Sequence, residues 1–135
     1  MTTKEDLLFL RDFEFRQRQR EREIEHLREK AGLHAVQYDK ILTQGGAQRD
    51  AMAEHAAAVD EAERRYAKES LEDKARYLRI VDDIMRLPPR EMEIIRLRYQ
   101  EAHSWGWIRR RTHYEKSHLF RIHKHALDLL SEEGT

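Results

Sequence analysis

From Asp50 to Leu87 the chain runs without a glycine or a proline, and Pro88 and Pro89 then close the run. Within it Met52, Ala56, Val59, Glu63, Tyr66, Ser70, Asp73, Tyr77, Ile80, Ile84 and Leu87 recur at alternating spacings of three and four. That spacing places them on one face of a helix. A helix over 50–87 spans on the order of 55 Å at about 1.5 Å per residue. A globule of 135 residues cannot bury it. It must pack on another helix of the chain, on a second subunit, or on both.

A partner helix is predicted over about 4–30. Leu10, Phe13, Gln17, Arg20, Ile24, Leu27 and Ala31 form its stripe, apolar at both ends and polar in the middle. Arg16, Arg18, Arg20 and Arg22 alternate with Gln and Glu and are read as a solvated face with ion pairs along the helix. Gly32 is a suitable stop. Residues 32–48 contain Gly45 and Gly46 and hold no sustained stripe, so they are expected to form the connection. Residues 1–87 therefore read as a long antiparallel helical hairpin, a coiled-coil arm for dimerisation or partner binding.

Charge and composition exclude more than they identify. Charged residues make up 39% of the chain and Lys plus Arg equals Asp plus Glu, 26 each, so net charge selects no partner. Cysteine is absent, which removes disulfides and thiolate metal sites. No apolar run approaches the roughly 20 residues of a membrane span. The N-terminus has acidic residues where a secretory signal needs basic ones. A cytoplasmic location is the expectation.

The distribution of charge is uneven. From Ser104 to Leu127 six cations (Arg109, Arg110, Arg111, Lys116, Arg121 and Lys124) face one carboxylate, Glu115, with His113, His118, His123 and His125 interspersed. Both tryptophans, Trp105 and Trp107, lie in this stretch. Three short helices are predicted here. The first runs from Arg90 to about Tyr99, after a proline stop. The second runs from Trp105 to about Arg111, capped by Ser104. The third runs from Lys116 to about Leu130, with Leu119, Ile122, Ala126, Leu127 and Leu130 on one side. Residues 132–135 are a tail. Two short helices joined by a tight turn, the last one basic on its outer face, make a helix-turn-helix over 88–131. The fold class is thus all-α, a long helical hairpin followed by a C-terminal helix-turn-helix.

This segment resembles region four of bacterial sigma factors. The likeness rests on Leu87-Pro88, Leu97-Arg98-Tyr99, Ser104 with Ile108, and Ala126-Leu127 with Leu130. With the preceding hairpin and Gln37-Tyr38-Asp39, the whole is similar to phage ArpU- and RinA-type late-gene activators. Some positions depart from that pattern: Arg109 replaces a small residue, Thr112 an apolar one, and Trp107 a frequent capping Glu. Gly106 weakens its helix by roughly 1 kcal/mol relative to Ala.

The resemblance implies a sequence-specific transcription regulator that binds double-stranded DNA with its last helix in the major groove. Lys116, Ser117, His118 and Arg121 are the candidates for base edges, with guanine the natural target of Lys116 or Arg121. Ser104, Arg109, Arg110, Arg111 and Lys124 are the candidates for phosphates. Trp105 is expected in the core, and Trp107, about 200° further round, outside it or against a neighbouring helix. Phe120 is expected to pack on the long helix rather than to touch a thymine methyl. Host RNA polymerase and a second copy of the chain are the other expected partners.

No cofactor and no metal are expected. His118 and His125 are about 10 Å apart along their helix, and no third ligand accompanies a close pair. Asp82-Asp83 reads as helix surface. No nucleophile or phosphate-binding loop points to an enzyme. Two other functions stay open: a small-terminase-like factor for DNA packaging, and a helical adaptor of RNA polymerase that does not bind DNA.

Overall fold

The computed structural model describes residues 1–32 and 46–132. The expected connection, over 33–45, and the tail, over 133–135, lie outside the described residues. Every regular element among those described is helical. In chain order they are α1 (Lys4–Ala31), α2 (Gly46–Met85), α3 (Pro89–Ile95) with a π-helical extension (Arg96–Gln100), α4 (Trp105–Thr112) and α5 (Lys116–Glu132). No described helix is long and apolar enough to cross a membrane.

The ends of these helices follow local chemistry. Thr3 and Asp6 cap α1 reciprocally. The Thr3 hydroxyl accepts from the Asp6 amide at 3.2 Å, and the Asp6 carboxylate accepts from the Thr3 amide at 3.0 Å. Gly32, at φ 66°, ends it, donating its amide to the Glu29 carbonyl at 3.0 Å. Helix α2 starts at Gly46, four residues before Asp50. The alanines at 47, 51 and 53 favour helix, and glycine in a first turn costs little. It closes early, because Arg86 and Leu87 donate three residues back, to Asp83 and Ile84, ahead of the prolines.

The chain divides into two compact units. The unit over 15–72 is a pair of helix segments. Ala31, Val59 and Ala62 are buried in it, with Ile24, Leu27 and Tyr66 half-buried beside them. The polar stripe positions are satisfied across the pair. The Ser70 hydroxyl donates to the Gln17 side-chain oxygen. Arg20 meets Glu69 at 3.4 Å, and Arg28 meets Glu63 at 2.5 Å. Partner numbers rise along one segment as they fall along the other, so the segments run antiparallel here. The stripe positions of the sequence are the ones that lose exposure.

The unit Met1–Glu14 with Asp73–Thr135 holds two apolar clusters. Leu7, Leu10, Ile80, Ile84, Leu87, Ile95, Tyr99, Ala126 and Leu130 fill the first. Ile94, Ile108, Leu119 and Ile122 fill the second, edged by Leu97, Trp105, Trp107 and Tyr114. Adjacent residues of α3, Ile94 and Ile95, serve the two clusters, so α3 is apolar on two sides. Each fully buried Ile or Leu contributes about 1.5–3 kcal/mol. Asp6 binds this unit together further: Arg76 reaches its carboxylate at 2.8 Å and Arg79 at 3.3 Å. Asp83 is buried, not on the surface, and accepts from the Thr2 hydroxyl at 2.5 Å. Asp82 is exposed and pairs with Arg86 at 2.7 Å.

Candidate nucleic-acid interface

The local sequence builds a helix, a turn and a second helix at residues 104–132. The Ser104 side chain accepts from the Trp107 amide at 3.1 Å, satisfying one of the free donors at the start of α4. At the other end His113 adopts the left-handed conformation, φ 60°, and donates its amide to the Arg109 carbonyl at 2.9 Å. A non-glycine residue there is strained and turns the chain sharply. The Thr112 hydroxyl donates to the Ile108 carbonyl at 2.7 Å, which explains how a polar residue fits a position with an apolar precedent. Glu115 then leads into α5, its carbonyl accepting from the Leu119 amide at 2.8 Å.

On α5 the buried residues are Leu119, Ile122, Ala126 and Leu130. At about 100° per residue, Ser117, Arg121 and Lys124 fall on the opposite side. All three are exposed, as is Asp128 further along the same side. A surface cleft of about 570 Å³ is lined by Arg109, Glu115, Lys116, Ser117 and Phe120. A neighbouring one is lined by Gly106, Arg109, Arg110, His113, Tyr114 and Glu115. Arg109 and Glu115 are common to both. The structure therefore brings Arg109 and Arg110 of α4 together with Lys116 and Ser117 of α5. Arg111 is exposed but lines neither cleft, because three successive helical residues cannot face one way.

Arg109, Arg110, Arg111, Lys116, Arg121 and Lys124 are exposed. None has a described carboxylate within 4.0 Å. The contrast is with Arg20, Arg28, Arg76, Arg79, Arg86 and Arg90, each of which meets one. Positive charge on α4 and α5 thus has no described carboxylate partner within 4.0 Å, and Glu115 is the carboxylate that lines the same clefts.

The aromatic residues meet expectation only in part. Trp105 is half-buried, not in the core, with the Arg98 guanidinium 4.9 Å from its ring. Its edge contacts are Phe120 at 5.4 Å and His123 at 4.8 Å between centroids. Trp107 is half-buried at the edge of the Ile94–Ile108–Leu119–Ile122 cluster, outside the core as expected, and it also stacks on His103 of the preceding loop at 3.5 Å and 7°. Phe120 packs against Trp105 of α4, not against the long helix. His118 turns its ring towards Tyr114, 5.1 Å away, which draws it from the outer face.

The other histidines have their own roles. His123 shares a 2.7 Å hydrogen bond with the Tyr99 hydroxyl. Burial first, and then the charges of Lys4 and Arg98, together lower its pKa to about 4. The imidazole is thus neutral near pH 7. Burial also raises the Tyr99 phenol. His125 Nδ1 lies 3.1 Å from the buried Glu91, which Arg90 reaches at 2.9 Å. Burial alone would raise Glu91, but these two hydrogen bonds hold its carboxyl below the usual range. Among the described residues no three His, Asp or Glu side chains come together as a metal site.

Three features had weak or no sequence signals. The Thr3-x-x-Asp6 box was legible as Ser/Thr-x-x-Asp/Glu at a helix start. The π-helical turn was not, since it is one extra residue accommodated by packing; Glu101 donates to the Arg96 carbonyl at 2.9 Å, five residues back. Arg98 then ties the loop down, donating to the His103 carbonyl at 3.0 Å. That holds Ala102 at φ 59° and sets His103 under Trp107.

Comparison with protein-family models, with curated proteins and with solved structures gives no match.

Proposed function

We propose that the chain is a sequence-specific DNA-binding transcription regulator of phage or prophage type, acting without enzymatic chemistry. In this reading residues 88–131 are a sigma region-four-like helix-turn-helix. Helix α5 enters the major groove, and residues 1–87 are an antiparallel hairpin that engages host RNA polymerase or a second copy. The observation that carries it is the set of exposed, uncompensated cations on α4 and α5 in a chain of zero net charge. Phosphates are the partner that such a surface neutralises, with release of counterions. Ser117, Arg121 and Lys116 read base edges, and Ser104, Arg109, Arg110, Arg111 and Lys124 hold the backbone. His118 takes part less directly, because Tyr114 occupies its ring.

Self-association has separate support on α2. Leu78 and Met85, seven residues apart, are 65% and 55% exposed. That spacing is the repeat of a coiled-coil seam.

The test is a binding assay on DNA fragments from the gene's own neighbourhood against random fragments of equal length, at near-physiological salt. Preference for one local fragment is expected, with affinity falling steeply as salt rises. Equal affinity for all fragments would remove the regulator reading.

A further inference from the structure

Phe120 stands out on the basic face. It is 40% exposed on α5, among residues that are otherwise charged or polar. The cleft it lines is shared with Arg109, Glu115, Lys116 and Ser117. Its ring meets Trp105 in a T-shaped contact at 5.4 Å and 85°. The Lys116 ammonium lies 5.9 Å from its centroid. The ring is therefore fixed in place from below while its remaining surface faces the side on which the unpaired cations gather.

We propose that Phe120 is a specificity-determining residue that reads the C5-methyl group of a thymine. The inference rests on the DNA-binding reading. In the major groove the thymine methyl is the apolar group that base edges display. An apolar ring beside ammonium and guanidinium groups suits a surface that alternates such methyls with phosphates and acceptor atoms. Trp105 gives the contact its rigidity: a ring so packed loses little freedom on binding. Lys116, one helical turn before Phe120, is placed to read an acceptor pair on a nearby guanine.

The experiment uses the full chain and a binding site selected from random double-stranded DNA. Each thymine of that site is replaced in turn by deoxyuridine, which deletes only the methyl. Wild-type protein is expected to lose about fourfold in affinity at one position, the value of one buried methyl. Phe120→Ala should bind the thymine and uracil sites equally. Phe120→Leu, which keeps an apolar contact and the packing on Trp105, should retain part of the preference; circular dichroism checks that both variants fold. If selection enriches a site but no deoxyuridine substitution weakens wild-type binding, the inference is wrong while DNA recognition stands. The same holds if Phe120→Ala keeps the full uracil penalty. If selection enriches no sequence, the DNA-binding reading falls and takes this inference with it.

Discussion

The Tyr99 hydroxyl lies 2.7 Å from Nε2 of His123, and the two rings stack with centroids 5.8 Å apart. Tyr99 belongs to the π-helical turn and His123 to α5, so this bond joins the end of the α3 segment to the last helix. Burial favours the neutral imidazole at this position. The folded pKa of about 4 lies below the ordinary 6.5, so the unfolded chain binds the extra proton first. Stability from this site is complete above pH 6.5 and falls as pH drops towards 4. At about 1.36 kcal/mol per pH unit the whole window is worth about 3 kcal/mol. Urea midpoints at pH 7.5, 6 and 5 should fall in that order, and His123→Gln should flatten the series. An NMR titration placing His123 near 6.5 would contradict this account.

Asp6 has two tasks at once. It completes the cap of α1 and receives Arg76 and Arg79 from α2. Burial pushes its carboxyl up, but the Thr3 amide and the two arginines outweigh that and hold it low. Its contribution is therefore present above the ordinary carboxylate range and lost in acid. Asp6→Ala should destabilise the protein by about 2 kcal/mol, combining a lost cap with lost charge-assisted bonds. Chemical denaturation at pH 7 measures it; a change below 0.5 kcal/mol would show that water replaces both roles.

Two substitutions should stabilise. Gly106 is exposed inside α4, and an added methyl would meet only Arg110 Nη1 at 3.6 Å and Ser104 Oγ at 4.0 Å. Gly106→Ala should raise stability by up to about 1 kcal/mol. Ala102 sits at φ 59°, where glycine is relaxed. Ala102→Gly should gain about 0.5 kcal/mol after the unfolded chain's added freedom is counted. Melting temperatures of the two variants would decide the matter, and a fall in either would point to a contact that the backbone angles do not reveal.

Arg121 and Lys124 are exposed and lack a described carboxylate within 4.0 Å, so replacing them should not disturb the fold. Arg121→Ala with Lys124→Ala should leave the melting temperature within about 2 °C, as surface changes do. Under the DNA-binding proposal the pair should weaken binding several-fold and flatten its dependence on salt. An unchanged salt slope with unchanged affinity would favour a protein-only role for this face.

What the sequence determined by itself was periodic. The stripes Leu10 to Ala31 and Met52 to Leu87 could be read directly, because burial on a helix repeats every 3.6 residues and a single face carries the signal. Ser104, Gly32 and Pro88-Pro89 were equally legible, since caps and breakers act through their own backbone. Tertiary structure decided the rest. Whether Gln17 and Arg20 in a stripe meet Ser70 and Glu69 depends on the register of two distant segments. The π-helical turn carries Tyr99, which is buried in the core, and Arg98, which donates to the His103 carbonyl, contacts that no local pattern encodes. Trp105 and Phe120 have neighbours that the sequence did not indicate, and Trp107 gained an unforeseen stack on His103. Rings at the rim of a small cluster are placed by which edges and cations surround them, and those come from four separate segments of the chain.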